Sequence, residues 1–517
     1  MQHNRIRRSA MLVVLLSAFS QAFLGSRKVQ TSSPPSLAGA RAAFARGQLD
    51  DAEKQIWTVL SSDSNQPEAL TLLGMIRGRQ KRYAEAEALF RRTLQLVPDS
   101  AVVHRNLADA LIAQNRADAA VAEYEEVVKL APQDHSAKVE LAHLYLSHGQ
   151  FAQALSSLES IPRNHFPPEA IPARAASLLG LGRKDEAAAL IPQAKPSPTL
   201  SAELAEVFLN GNAPEFALRA AENGLATSPR APARLYFLKA RALQTMGHSS
   251  SALSNFRQAL IHDPKSVEAM IGIAAIEASA NQHQDSLRFL RRAYALQPNS
   301  PEVLHPLVVE AMKAGEPKTA LQAAQTLAEK NPDNLEDIYL AAAAMLEGKD
   351  FATAASLFEK YTSQQPDNSK AFLGLGIAQL AQQHYPEATK ALERSLQIDP
   401  QQADAEYELG LVASQTGKAE EAVQHFERTI QLRPQHAKAL ASLGQQYLET
   451  GDLEKARTAL EGSVAVNPND AKAQYDLALV LSKLGKTEEA RQHMERSRAL
   501  KTAEDLGKNP ASMAAQP

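Results

Sequence analysis

The sequence predicts an all-α chain built as one long array of helix-turn-helix repeats, and three observations carry that reading. The first is the string Ala403 to His436, ADAEYELGLVASQTGKAEEAVQHFERTIQLRPQH, whose small, apolar and turn residues recur at fixed offsets on either side of it. The next such stretch begins at Ala437 and the previous one at Ser369, so the pattern has a period of 34 residues and stays in register. The second is spacing inside the string. Leu409, Gly410 and Ala413 fall on one face of a first helix, and Ala422, Phe426, Thr429 and Ile430 on one face of a second. The third is composition: the 517 residues are 44% hydrophobic but only 5% aromatic, with heavy use of Ala, Leu, Gln and Glu, which favours helix over strand. That length would ordinarily imply several globular domains. A fixed internal period overrides the expectation, because stacked repeats need no single closed core.

The chain opens differently. Arg5, Arg7 and Arg8 precede an apolar run from Met11 to Leu16 that continues through Phe19 and Phe23 to Leu24, and Ser20-Gln21-Ala22 offers a small-x-small cleavage pattern. This predicts a secretory signal peptide over residues 1–22 and an exported protein, periplasmic or associated with the cell envelope. The alternative is an uncleaved N-terminal membrane anchor, although Ser17, Ser20 and Gln21 interrupt the run short of the ~20 apolar residues a span needs. Cleavage would remove three arginines and leave the mature chain more acidic than the formal −3 of the whole. There is no cysteine, which excludes disulfides, thiolate nucleophiles and Cys-containing zinc sites. Residues 23–32 read as a flexible lead-in, 33–160 as N-terminal repeats, 161–197 as an irregular repeat and kink, 198–502 as C-terminal repeats, and 503–517 as a disordered tail. The kink is expected from Pro162, Pro167, Pro168, Pro172, Pro192, Pro196 and Pro198, which crowd that segment.

Within a repeat, with Ala403 as position one, Gly417 stands where the first helix must stop, since glycine accepts a left-handed cap at no steric cost. Gly47, Gly149, Gly182, Gly247, Gly315, Gly451 and Gly485 hold the same place. Pro434 ends the second helix, as do Pro98, Pro132, Pro229, Pro264, Pro298, Pro332, Pro366, Pro400 and Pro468 in their repeats. N-caps are expected at Ser100, Asp134, Ser266, Ser300, Asn334, Asn368 and Asp470. Small residues at positions eight and twenty, such as Gly74 with Ala86 and Gly444 with Ala456, are expected to let the two helices approach, and Phe90, Tyr124, Phe256, Phe358, Phe426 or Leu460 at position twenty-four to fill the space beyond.

This pattern of a large residue at four, Leu-Gly at seven and eight, a large residue at eleven, Ala at twenty, an aromatic at twenty-four and Pro at thirty-two resembles the tetratricopeptide repeat. Repeats begin near Ser33, Pro67, Ala101, His135, Pro168, Pro198, Ala233, Val267, Pro301, Leu335, Ser369, Ala403, Ala437 and Ala471. The resemblance implies a right-handed superhelical solenoid whose groove is lined by first-helix positions two, five and nine. It departs from the family at position four, where no tryptophan stands, and residues such as His104, Lys138, Glu406 and Gln474 leave the expected contacts variably loose.

No catalytic, cofactor-binding or metal-binding constellation emerges. His135, His143 and His148 share a repeat without the i, i+4 spacing of a helical metal pair, and Gly180-Leu181-Gly182-Arg183-Lys184 follows a helix, unlike a phosphate loop, which follows a strand. Arg77, Arg79, Lys81, Arg82, Arg91 and Arg92 concentrate positive charge in one repeat. They form a candidate anion patch, with a solvated outer face as the plainer reading. On the inferred groove face stand Arg105, Asp109, Tyr339, Tyr407, Gln445 and Tyr475, candidates for contact with a partner because tyrosine joins large contact area to a polar tip at low entropic cost. The expected function is an exported, non-enzymatic scaffold that binds a protein or peptide. An accessory of polysaccharide synthesis or export is the alternative, and the targeting arm of a glycosyltransferase-like system a remote one. Nucleic acid is not expected as a partner given export and the acidic net charge. Membrane contact is expected only if the N-terminal segment is retained.

Overall fold

The computed structural model describes residues 35–194, 197–226 and 232–508; the expected signal peptide, the lead-in, Ser33, Pro196, Pro229 and the tail beyond 508 lie outside the described residues. Among the described residues all regular structure is helical. First helices such as Pro67–Arg79, Ala101–Ala113, Ala403–Gln415 and Ala471–Lys483 open on the residues that begin the repeats, and the second helices Tyr83–Leu96, Ala117–Leu130, Ala419–Leu432 and Thr487–Lys508 follow after a short turn. The described helices fall into two compact bodies, one ending at Gly272 and the other beginning at Ile273. Each body is a stack of helical hairpins in which a repeat packs on its sequence neighbours, as expected where one hairpin cannot bury enough apolar surface alone.

One local rule sets the turn between the paired helices. Every described residue with positive φ stands at position fifteen of a repeat: the eight glycines named above, and Lys81, Asn115, Asn212, Asn281, Lys349 and Gln383 in the others. At Gly417, with φ 77, the chain turns so that its N–H reaches the Ser414 carbonyl at 3.2 Å and the Lys418 N–H reaches back to the Ala413 carbonyl at 2.9 Å. These bonds satisfy helix-end carbonyls that would otherwise lack partners. A lysine or glutamine in that conformation bears a Cβ clash worth ~1–2 kcal/mol. Lys349→Gly is therefore expected to stabilise the chain by about 1 kcal/mol, partly offset by the freedom glycine gives the unfolded state. A urea titration would show this as a raised midpoint; a lowered one would mean that Lys349 carries no strain to relieve.

The expected caps form at Asp134, Asn334, Asn368 and Asp470, whose side chains accept backbone N–H groups, and at Ser266, which accepts from Ala269 at 3.3 Å. Ser100 makes no side-chain cap bond, and the Ser300 hydroxyl turns to Glu302 at 2.7 Å instead.

The core corrects one expectation about position eight. A Cβ added at Gly410 would lie 2.5 Å from the Phe426 ring, at Gly74 2.5 Å from Phe90, and at Gly444 2.5 Å from Leu460, whereas the position-twenty carbonyl of Ala456 stands farther off at 3.3 Å. The small residue thus makes room chiefly for the side chain at twenty-four. Phe358 also presses on the next repeat, where a Cβ at Gly374 would meet its ring at 2.5 Å. Position four is tighter than the sequence implies. At three polar sites position twenty-three is its partner, His104 with Glu123 at 2.6 Å, Glu406 with His425 at 2.8 Å and Gln474 with His493 at 2.7 Å, while Lys138 reaches the Ser160 carbonyl at 3.3 Å.

The irregular segment contains 3-10 turns at Arg163–His165, Pro168–Ala170 and Ile191–Ala194 and a short helix Lys184–Ala188. Its Ile161, Ala170 and Ala173 share one core with Ala142, Ala154 and Leu158, so the apolar interior runs on through it. The last helix runs from Thr487 to Lys508, and neither proline nor glycine stands in it before Gly507.

Candidate partner-binding face

The helical period divides each first helix into a packed side and a free side. In Ala403–Gln415 the buried residues are Ala403, Ala405, Leu409, Gly410, Val412 and Ala413, while Asp404, Tyr407, Glu408 and Leu411 are only partly buried. Positions two, five, six and nine therefore share one stripe.

Tyr407 sits on that stripe with its ring against Phe426 at 5.9 Å and His436 at 4.9 Å. Burial raises its phenol above the usual range, with the Ser442 hydroxyl opposing the shift. Tyr339, at the same position in its repeat, meets Phe358 edge-on at 6.0 Å and Tyr361 at 5.2 Å. Tyr475 is 47% exposed. Gln445 donates to Glu449 at 2.9 Å and accepts from Lys472 at 2.5 Å.

The two candidates in the N-terminal body are held by their own chain. Arg105 donates to Asp134, the cap of the next repeat's first helix, and to Ser136 of that helix at 3.1 Å. Asp109 accepts the buried Tyr124 hydroxyl at 2.6 Å. Burial pushes its carboxyl up to about 6, against the Tyr124 bond, with Glu140 adding to the rise and Arg105 opposing it.

The proposed anion patch needs correction. Arg77 is buried, and its guanidinium is clasped by both Glu53 oxygens at 2.6 and 2.7 Å, by Gln80 at 2.8 Å and by Glu85 at 3.3 Å. Arg79 lies 4.3 Å over the Phe44 ring. Arg82 takes Glu85 through two bonds of 2.7 and 2.6 Å, Arg91 takes Glu87 at 2.9 Å, and Arg92 ties down Ser64 and Asn65. Lys81 is the left-handed turn residue of its repeat. Carboxylates take three of these cations, Glu53 from the preceding helix and Glu85 and Glu87 from the second helix of the same repeat, so the six do not act as one free patch.

One residue escapes a sequence reading based on positions two, five and nine. Glu408, at position six, is a partly buried carboxylate that no hydrogen bond or ion pair among the described residues reaches. Burial pushes it up to about 7, Asp404 adds to the rise, and Lys438 of the next repeat draws it back. Lys438 itself is exposed. The signal that could have found Glu408 is its place on the same stripe as positions two and nine.

Family comparison accounts for the repeats. Tetratricopeptide repeat profiles match residues 37–101, 79–136, 111–176 and 237–301, and the C-terminal domain of cilia and flagella-associated protein 70 matches 303–513. The chain belongs to the tetratricopeptide repeat family. The TPR repeat-containing thioredoxin TTL4 of Arabidopsis thaliana is 34% identical over 97 residues, 19% of this chain and 14% of that protein, so the shared part is a small fraction of the relative. Among solved structures, the MamA protein is similar at 22% identity with a TM-score of 0.29, covering 35% of this chain and 96% of MamA. The APC/C hetero-tetramer Cut9-Hcn1 is similar at 14% identity with a TM-score of 0.38, covering 86% and 95%. As a tetratricopeptide repeat chain, this protein offers helix faces suited to protein–protein interaction. Among its described residues no group of three or more His, Asp or Glu side chains could hold a metal ion, and no helix is long and apolar enough to cross a membrane.

Proposed function

We propose that this chain is an exported, non-enzymatic scaffold that binds protein partners in the cell envelope through the first-helix face of its C-terminal repeats. The observation that carries the binding reading is the spacing of Tyr339, Tyr407 and Tyr475. They hold position five of alternate repeats, with Leu373 and Ala441 between them. Packing within a repeat gives no reason for tyrosine to return every second repeat, since Leu373 and Ala441 serve the same position. Aromatic rings set along one face suit an extended segment of another protein, to which each ring offers wide contact and a polar tip. The export reading rests on Arg5, Arg7, Arg8 and the apolar run from Met11.

Crosslinking in native envelopes followed by affinity capture tests both parts. The wild type is expected to hold defined proteins that a Tyr407→Ala, Tyr475→Ala double variant loses at least several-fold, with helicity unchanged. Equal capture by both would remove the tyrosine face from the mechanism. Separately, an alkaline phosphatase fusion to residues 1–34 is expected to be active only if the segment directs export, and an inactive fusion would overturn the localisation.

A further inference from the structure

Resting on the reading above, we propose that Glu408 is the carboxylate that captures a cationic side chain, lysine or arginine, of a partner segment lying across Tyr407 and Leu411. Glu408 is the one carboxylate of its own helix without a hydrogen-bond or ion-pair partner among the described residues; Glu406 pairs with His425 at 2.8 Å. Asp404, one turn earlier on the same helix, accepts Arg433 at 2.8 and 3.1 Å, and Asp476 accepts Lys472 at 3.0 Å. Glu408 has no such partner among the described residues, yet it stands on the stripe that carries Tyr407 and Leu411 and keeps some contact with solvent.

Chemistry selects the occupant. A partly buried carboxylate given no donor gains more from an arriving cation than a fully solvated one does, because the attraction acts in a lower effective dielectric and replaces no existing bond. An arginine or lysine stem also lays methylene groups along the apolar surface beside the charge. The charged groups that act on Glu408 are Asp404 on its own helix and Lys438 on the first helix of the next repeat, and the neighbouring Tyr407 phenol feels its charge in turn. Lys438 is the competing cation. It draws the Glu408 carboxyl down without bonding it, so an incoming side chain must outbid it from closer range.

Binding is then linked to pH. Glu408 titrates near 7, so a cation that binds only the ionised form binds more weakly in acid and reaches full strength above that point.

The test is a random peptide-display selection on the full chain, with Glu408→Gln and the tyrosine double variant in parallel. Wild type is expected to enrich peptides with lysine or arginine at one register beside an aromatic or aliphatic residue, and Glu408→Gln to enrich apolar peptides without the basic position. The best wild-type peptide, labelled and followed by fluorescence anisotropy, should bind about ten-fold more weakly at pH 6 than at pH 8, and Glu408→Gln should flatten that dependence. Lys438→Gln should tighten it. Basic enrichment that survives in Glu408→Gln, or none in wild type, would overturn the assignment while leaving the tyrosine face in place. Selection that is the same with and without the tyrosines would overturn the underlying reading and this one together. Because glutamine keeps the shape of glutamate, circular dichroism of the variant should match wild type, which separates lost recognition from lost fold.

Discussion

Phe426→Ala is expected to destabilise the C-terminal body by about 3–5 kcal/mol, the range for deleting a fully buried phenylalanine. The ring is 0% exposed and lies where a Cβ on Gly410 would stand 2.5 Å away, so it fills the gap that the glycine leaves between paired helices. Tyr407 packs on its near side at 5.9 Å, and Ala413, Ala422, Leu443 and Ala459 complete the cluster. Alanine would leave a cavity bounded by two helices of one repeat and the first helix of the next. In a stack of repeats the loss stays local, so amide exchange should accelerate first in Ala403–Gln415 and Ala419–Leu432 while helices such as Ala101–Ala113 keep their protection. Loss of protection at the same rate in both bodies would contradict this picture of independent local cores. A deficit under about 1 kcal/mol would show that the site collapses onto the missing ring.

Glu53→Gln should have a comparable effect in the N-terminal body, about 3 kcal/mol, for a different reason. The variant removes the charge that neutralises Arg77, whose side chain is 7% exposed, and leaves a cation in the interior with amide and solvent-exposed partners only. The pH dependence follows from the sign of the shift. Glu53 is held down to about 2 in the fold, first by its bonds to Arg77, against an ordinary 4.5, so its contribution is present in full above 4.5 and lost as the pH falls towards 2. Urea midpoints of wild type and Glu53→Gln should therefore differ by a constant amount at pH 6 to 8 and converge below pH 4.5. A gap that persists unchanged to pH 3 would rule out the ionised pair as its source.

These two expectations differ in how far the sequence alone could reach them. The ring at Phe426 was legible, because aromatic residues at position twenty-four recur in register with small residues sixteen places before them. What the small residue is small for was not legible: only the packed helices show that Gly410 yields to Phe426 itself. Arg77 was misread for a related reason. In sequence it stands with five other cations, and nothing local distinguishes a guanidinium that turns inward to Glu53, twenty-four residues away, from one that faces water.

The candidate face was legible in part. Tyr339, Tyr407 and Tyr475 follow from counting positions, and Tyr475 is exposed. Arg105 at position five and Asp109 at position nine are engaged by Asp134 and Tyr124, partners that the repeat pattern does not specify. Glu408 is the reverse case, unremarkable as a letter and distinctive once its surroundings are known.

The sequence by itself determined where helices begin, stop and turn, and with them the repeat. Left-handed residues at position fifteen, prolines at thirty-two and caps such as Asn368 act within one turn of backbone, so their effect is complete in a few consecutive residues. Only the tertiary structure decided which charges are spent and which are left. An ion pair between repeats, or the desolvation of a single carboxylate, depends on side chains that stacking brings together from about one period away, and helical periodicity carries no record of that meeting.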